Sequence, residues 1–201
     1  MRIGVLASGE GSNLQAILDR LHGRDGVEVV AVGSDKPAAR ALERAHAARV
    51  PTRAFEQSDR RARDAAIAGW LEDAGVELVV LAGYMQLLDA AFLARFRGRV
   101  INVHPALLPA FPGIAAVEQA LARGVKVFGV TVHFVDEGVD TGPIIAQRAL
   151  ELPDAASAEA VHDALRPLEH DLLCDVVRLI ARGAVVLEGG RCIVRRDDAA
   201  G

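Results

Sequence analysis

Apolar positions in the first hundred residues follow two alternating rhythms. Ile3 to Ala7 is a short apolar run with the length of a buried strand, and Leu14, Ile17, Leu18 and Leu21 then recur at helical spacing, predicting a helix over Ser12 to Leu21. The same exchange repeats: Val27 to Val32 reads as a strand, Ala38 to Ala48 as a helix, Pro51 to Phe55 as a short extended piece, Asp59 to Ala74 as a helix and Leu78 to Ala82 as a wholly apolar strand. This β-α-β-α order predicts a mainly parallel sheet with helices on both faces, an α/β Rossmann-like architecture.

The pattern changes after residue 100. A strand over Arg99 to Val103 runs into a loop, His104 to Gly113, broken by Pro105, Pro109 and Pro112. A helix over Ala115 to Arg123 and an alternating strand over Val127 to Val135 follow. Next come a Gly/Asp-rich loop, Asp136 to Gly142, and a strand over Ile144 to Ala149. Ser157 to Arg182 predicts one long helix despite Pro167, and Gly189-Gly190 marks a terminal hairpin followed by a polar tail. No internal repeat or flexible linker interrupts the 201 residues, so one domain is expected.

Composition narrows the function. Hydrophobic residues are 51% and charged residues 25%, ordinary for a globular protein, and the net charge is -4. That balance argues against a general nucleic-acid binder, which needs a basic face. The two cysteines, Cys174 and Cys192, have neither CxxC spacing nor the density of a disulfide framework, and no Cys/His cluster suggests zinc. No apolar run reaches about 18 residues, and Met1 leads directly into a strand with no signal-peptide pattern. A cytoplasmic enzyme of small molecules is therefore expected, with no membrane and no nucleic-acid partner, and a homodimer left open.

Three segments carry candidate chemistry. Gly9-Glu10-Gly11-Ser12-Asn13 lies between the first strand and the first helix, where glycines let backbone approach a ligand and free N–H groups attract an anion. It lacks the third glycine of the dinucleotide fingerprint, so a phosphomonoester suits it better than NAD. The same residues also suit a plain turn capped by Ser12 or Asn13. Asn102 and His104 stand at i and i+2 at the end of an apolar strand and so share a face, either as a reactive pair or as a polar strand end. The acidic loop around Asp136, Glu137, Gly138, Val139 and Asp140 has too few oxygens at the right spacing for a calcium loop.

Together these segments resemble the formyltetrahydrofolate-using formyltransferases, and among them the phosphoribosylglycinamide formyltransferases. Ser8 to Gln15 is similar to the substrate-phosphate loop, Leu81-Ala82-Gly83-Tyr84-Met85 to the folate-pocket strand, and Asn102-Val103-His104-Pro105-Ala106-Leu107-Leu108-Pro109 to the Asn-x-His-Pro-x-Leu-Leu-Pro signature. Gly129 to Val135 and Asp140 to Ile145 complete a match running from about residue 2 to 188. The resemblance implies a single-domain formyltransferase fold and transfer of a formyl group from 10-formyltetrahydrofolate, as co-substrate and without a metal, to the amine of glycinamide ribonucleotide. It implies catalysis by Asn102, His104 and Asp140, and phosphate binding by Gly11, Ser12 and Asn13. Arg166 and Glu169 would contact the acceptor. Arg63, Met85, Gln86, Leu87, Leu88 and Asn102, with Asp136 to Asp140, would hold folate. Thr131 and His133 would support the Asp140 loop, and Leu108-Pro109 would be a cis peptide. Residues 1–100 would form a phosphate-binding half, 101–188 a catalytic and folate-binding half, and 189–201 the hairpin and tail.

The chain departs from the family pattern at Ala115, where a histidine is usual, at Gln86, where a basic residue is usual, and at Leu173-Cys174, where an aromatic-proline pair is usual. Two other readings share the Asn/His/Asp set or the pockets: a formyltetrahydrofolate deformylase, in which water replaces the amine, and a folate- or nucleotide-binding protein of weakened activity.

Overall fold

A computed structural model describes residues 1–195. The polar tail expected after the hairpin lies, from residue 196 on, outside the described residues. The predicted alternation is present as β1 (Arg2–Leu6), α1 (Ser12–Arg20), β2 (Glu28–Ser34), α2 (Arg40–Ala47), β3 (Thr52–Ala54), α3 (Arg60–Asp73), β4 (Leu78–Leu81), α4 (Ala90–Arg95) and β5 (Val100–His104). The second half continues with α5 (Ala116–Ala122), β6 (Val127–Phe134), β7 (Ile144–Glu151), α6 (Ala158–Ala181), β8 (Val185–Glu188) and β9 (Arg191–Val194). Seven strands form one sheet in the order β3-β2-β1-β4-β5-β6-β7. The first five are parallel, while β6 and β7 join antiparallel. β8 and β9 pair separately as the hairpin. It turns at Gly189-Gly190, so β8 precedes the boundary expected at 188.

The two-residue period of β1 divides its side chains between two cores. Ile3 and Val5 point into one shared with α1, α6 and the inner faces of β5 and β6. Leu6 packs into the other with Ile67 and Leu71 of α3 and Phe92 of α4. Gly4 shares that second face, where a Cβ would stand 2.8 Å from Leu71. The short α4 escaped the sequence pattern because six residues give too few turns to show a period. Its start is nonetheless a capped one: Asp89 accepts the Phe92 N–H at 2.7 Å.

β6 is buried along seven of its eight residues, not half-exposed as its alternation suggests. Phe128, Val130, Val132 and Phe134 face the core under α6, whereas the small and polar positions are roofed by the proline loop. A Cβ on Gly129 would meet Leu107 at 2.4 Å. Pro167 sits within α6 without ending it. It cannot donate to the carbonyl one turn back, and the helix persists because Val161, Leu165, Leu172, Leu173 and Val176 bury one continuous face.

Candidate active site

The order of strands reverses between β1 and β4: from β1 the sheet grows one way to β2, and from β4 the other way to β5. Loops leaving the carboxyl ends of β1 and β4 therefore diverge and open a crevice, the usual ligand position in such sheets. Ser8 ties its two sides, donating its N–H to Gly83 O at 3.0 Å and accepting the Met85 N–H on its hydroxyl at 2.8 Å.

On the β1 side, Gly11 holds φ +74°, and a Cβ there would lie 2.8 Å from the Ala41 backbone, so only glycine fits. Gly11 itself occupies the N-cap position of α1, with no side-chain cap, which corrects the expectation that Ser12 or Asn13 caps the helix. Ser12 begins the helix, and Asn13 turns its side-chain amide away to donate to Glu169 Oε2 at 2.9 Å. The first-turn N–H groups are thereby left open at the positive end of the helix. Glu169 is half-buried against this loop and not on a free helix face.

At the end of β5, Asn102 and His104 project to the same face, as their spacing requires. The antiparallel register sets His133 directly opposite Asn102, and Thr131 opposite His104. Asp140 arrives from the β6–β7 loop and joins all three. Its Oδ2 lies 3.4 Å from His104 Nδ1, and its Oδ1 lies 3.4 Å from both His133 Nε2 and Asn102 Nδ2. The Gly113 N–H donates to Oδ2 at 2.7 Å. His104 Nε2 contacts Phe111 O at 2.8 Å. Because a carboxylate can only accept, Asp140 fixes the NH2 end of the Asn102 amide toward itself. Burial pushes the Asp140 carboxyl up, but the His133 and Gly113 hydrogen bonds and the nearby His104 and His133 rings outweigh it. The carboxyl titrates below its ordinary value.

Two cavities meet at this cluster. One, of about 160 Å³, is lined by Leu81, Tyr84, Gln86, Leu87 and Leu88, by Asp136 to Asp140 and by Asn102 and His133. Its neighbour, of about 350 Å³, is walled by Met85, His104, Gly113, Ile114, Ala115, Glu118 and His162, and shares Asn102, Val139 and Asp140 with the first. Asn102 and Asp140 thus stand on the partition, where groups from two ligands would meet. The Leu108-Pro109 peptide is cis.

Several expected positions differ in detail. Arg63 is buried behind the first cavity and does not line it: it bonds Asp64 at 3.0 Å, Gln86 Oε1 at 3.1 Å and Leu87 O at 3.3 Å, holding the lining loop from beneath. Thr131 supports the proline loop and not the Asp140 loop, since its hydroxyl donates to Ala106 O at 2.7 Å and accepts the Leu108 N–H at 3.1 Å. Arg166 is exposed and paired with Asp163 at 3.0 Å. The two halves of the chain also interleave, for Leu81, Tyr84 and Gln86 to Leu88 line the first cavity and Glu169 reaches the first loop.

Other contributors were not singled out in the sequence, or, like Tyr84, stood there only within a matched segment. Arg60 lines the first cavity and donates to Leu88 O. Tyr84 lines both cavities, with a buried hydroxyl that has no hydrogen-bond partner among the described residues. Phe111 and Gly113 act through backbone atoms, which side-chain identity does not reveal. Gln147 donates to Leu108 O and Thr131 Oγ1, both at 2.9 Å, from a strand that reads as plain edge. Among the described residues no group of three or more His, Cys, Asp or Glu is placed to hold a metal. No helix there is long and apolar enough to cross a membrane.

Comparison with known proteins agrees with this geometry. The Formyl transferase family profile matches residues 1–177. The chain is 45% identical to the phosphoribosylglycinamide formyltransferase of Bacillus subtilis (strain 168), over 88% of this chain and 93% of that one. Identity to the Mycobacterium tuberculosis (strain ATCC 25618 / H37Rv) protein of the same name is 46%, over 94% and 88%. The crystal structure of glycinamide ribonucleotide transformylase 1 from Symbiobacterium toebii superposes with a TM-score of 0.94 at 46% identity, covering 98% of this chain and 94% of that one. With its sheet, its Asn102–His104–Asp140 cluster and a profile match over nearly nine-tenths of its length, the chain belongs to the formyl transferase family.

Proposed function

We propose that the protein transfers the formyl group of 10-formyltetrahydrofolate to the amine of glycinamide ribonucleotide. The observation that carries this reading is the position of Asn102 and Asp140 on the partition between two cavities, one walled by Leu88 and by Val135 to Asp140, the other by His104 and by residues of α5 and α6. Folate would occupy the smaller, more enclosed cavity, between residues 86–88 and 135–140. The acceptor would run from its phosphate, at the N–H groups of Ser12 and Asn13, to its amine, beside His104.

In the reaction the amine nitrogen bonds to the formyl carbon and the carbonyl oxygen takes the electron pair. The Asn102 Nδ2 lies 3.4 Å from Asp140 Oδ1 and 3.2 Å from His133 Nε2, and an N–H turned from His133 toward the partition would stabilise the oxyanion as it forms. Collapse of the intermediate breaks the bond to folate N10, which takes up a proton, while the attacking nitrogen gives one up. His104 carries that proton on Nδ1, while Nε2 keeps its N–H on Phe111 O and the Asp140 carboxylate beside Nδ1 stabilises the ring while it is protonated. These residues supply each proton and charge step, and both reactants are small molecules.

A formyl-transfer assay tests the reading. Product formation that requires glycinamide ribonucleotide supports it. Release of formate at the same rate without any acceptor would instead assign a deformylase, and tight ligand binding with no turnover would assign a binding protein.

A further inference from the structure

Among the described residues, His162 is an imidazole of the larger cavity that the Asn/His/Asp cluster does not employ. It lies on the first turns of α6, half-buried, in the wall of the larger cavity that also contains His104, Ala115 and Glu118. The polar contacts made by α6 engage Ser157, Asp163, Arg166, Glu169, Asp171, Asp175 and Arg178, and none of them uses His162. Its ring is therefore not held by the fold through hydrogen bonds among the described residues, and it faces the space where a ligand would lie.

The helix gives this placement a direction. His162, Arg166 and Glu169 are spaced i, i+4 and i+7, which puts them in one row along α6. Glu169 marks one end of the row, bonded to Asn13 of the phosphate loop. Seven residues of helix advance about 10 Å, so His162 marks the other end, at the wall shared with His104. A phosphorylated ribose carrying an amine-terminated amide arm has a comparable length. With phosphate at Ser12 and Asn13, its arm ends opposite His162.

We infer that His162 binds the amide arm of the acceptor, hydrogen-bonding it so that the amine is presented to the formyl carbon beside Asn102 and His104. This rests on the reading of the Gly11–Asn13 loop as the phosphate site. His162 acts on binding and orientation and carries no proton in the reaction.

The test is steady-state kinetics of full-length His162→Ala and His162→Gln, varying each substrate in turn. Loss of one hydrogen bond to the acceptor is expected to raise KM for glycinamide ribonucleotide about tenfold, with a smaller fall in kcat and an unchanged KM for 10-formyltetrahydrofolate. His162→Gln, which keeps a donor and an acceptor, is expected to recover most of the loss and also reports if the alanine variant does not fold. An unchanged acceptor KM in the folded variant overturns the inference, as does a parallel rise in both KM values. Wild-type protein that does not formylate glycinamide ribonucleotide would overturn the proposed function itself, which separates the two failures.

Discussion

Gly113 donates its backbone N–H to Asp140 Oδ2 at 2.7 Å, joining the end of the proline loop to the acidic loop across 27 residues of sequence. The same carboxylate reaches His104, His133 and Asn102, so both loops are anchored on one charge. That charge is held below the ordinary carboxylate pKa of about 3.9, and it contributes stability above that value which is lost as pH falls through the lower, folded value. Asp140→Asn removes the contribution. Urea melts should show the variant less stable than wild type at neutral pH, with the difference shrinking below about pH 4. A constant difference across that range would remove Asp140 as the titrating anchor.

Asn102→Ala should lower kcat by about 10²–10³, the usual effect of losing one oxyanion donor, with little change in KM for either substrate. His104→Ala should cost at least as much and also remove any bell shape from the pH–rate profile. Asn102→Ala should melt cooperatively near wild type, since Asn102 is only partly buried, whereas His104→Ala, which empties a buried position, should melt cooperatively at a lower midpoint. Near-normal turnover in Asn102→Ala would take that residue out of the chemistry.

Arg63→Met should separate support from chemistry. The substitution removes one partner of Asp64, whose side chain is wholly buried and whose carboxyl is already pushed up by burial, and leaves it the Asp89 N–H at 2.8 Å and Arg60 at 3.8 Å. The denaturation midpoint should fall, by less than the ~3–5 kcal/mol that a wholly unpaired buried charge costs. The loop at Gln86 and Leu87 also loses two anchors, so KM for 10-formyltetrahydrofolate should rise while KM for the acceptor holds. Adding Asp64→Asn should restore much of the stability and none of the folate KM. Recovery of both together would mean that Arg63 acts only through the global fold.

These residues show where sequence reading succeeds and where it stops. The strand and helix periods of the parallel half are set by local alternation, and Asn102 and His104 share a face because i and i+2 in a strand must. Asp140 was legible as a loop acid, but its partners depend on β6 running antiparallel, which no local period encodes. Arg63 was placed in the right neighbourhood and on the wrong side of the wall, because a helix position does not say which face its neighbours cover. Phe111 and Gly113 contribute a carbonyl and an N–H, groups every residue has, so nothing in the sequence marks them. The capping expectation failed at Ser12 and Asn13 because the N-cap falls on Gly11, whose left-handed turn and closeness to Ala41 leave no room for a capping side chain.

Ala115 holds φ +56°, a conformation disfavoured for any residue with a Cβ. Ala115→Gly should relieve that strain and stabilise the fold by up to about 1 kcal/mol, measured by urea melting. Ala115→His enters a backbone region that histidine tolerates better than most residues and faces the larger cavity. It should raise kcat/KM for glycinamide ribonucleotide by no more than about tenfold, the value of one good hydrogen bond. An unchanged or lower rate would mean that the exposed Ile114 and the buried Ala116 have shaped the cleft for a different amine.

The pairing of Asn13 with Glu169 spans 156 residues, nearly the whole chain. During synthesis the Asn102–His104 strand and the Asp140 loop leave the ribosome before α6, the helix that supplies His162 to the wall of the larger cavity and Glu169 to the first loop. A nascent chain ending before α6 lacks both residues and the apolar face that seats α6 against α1 and β6. Order of translation thus completes the cluster on β5 in sequence before the wall that faces it.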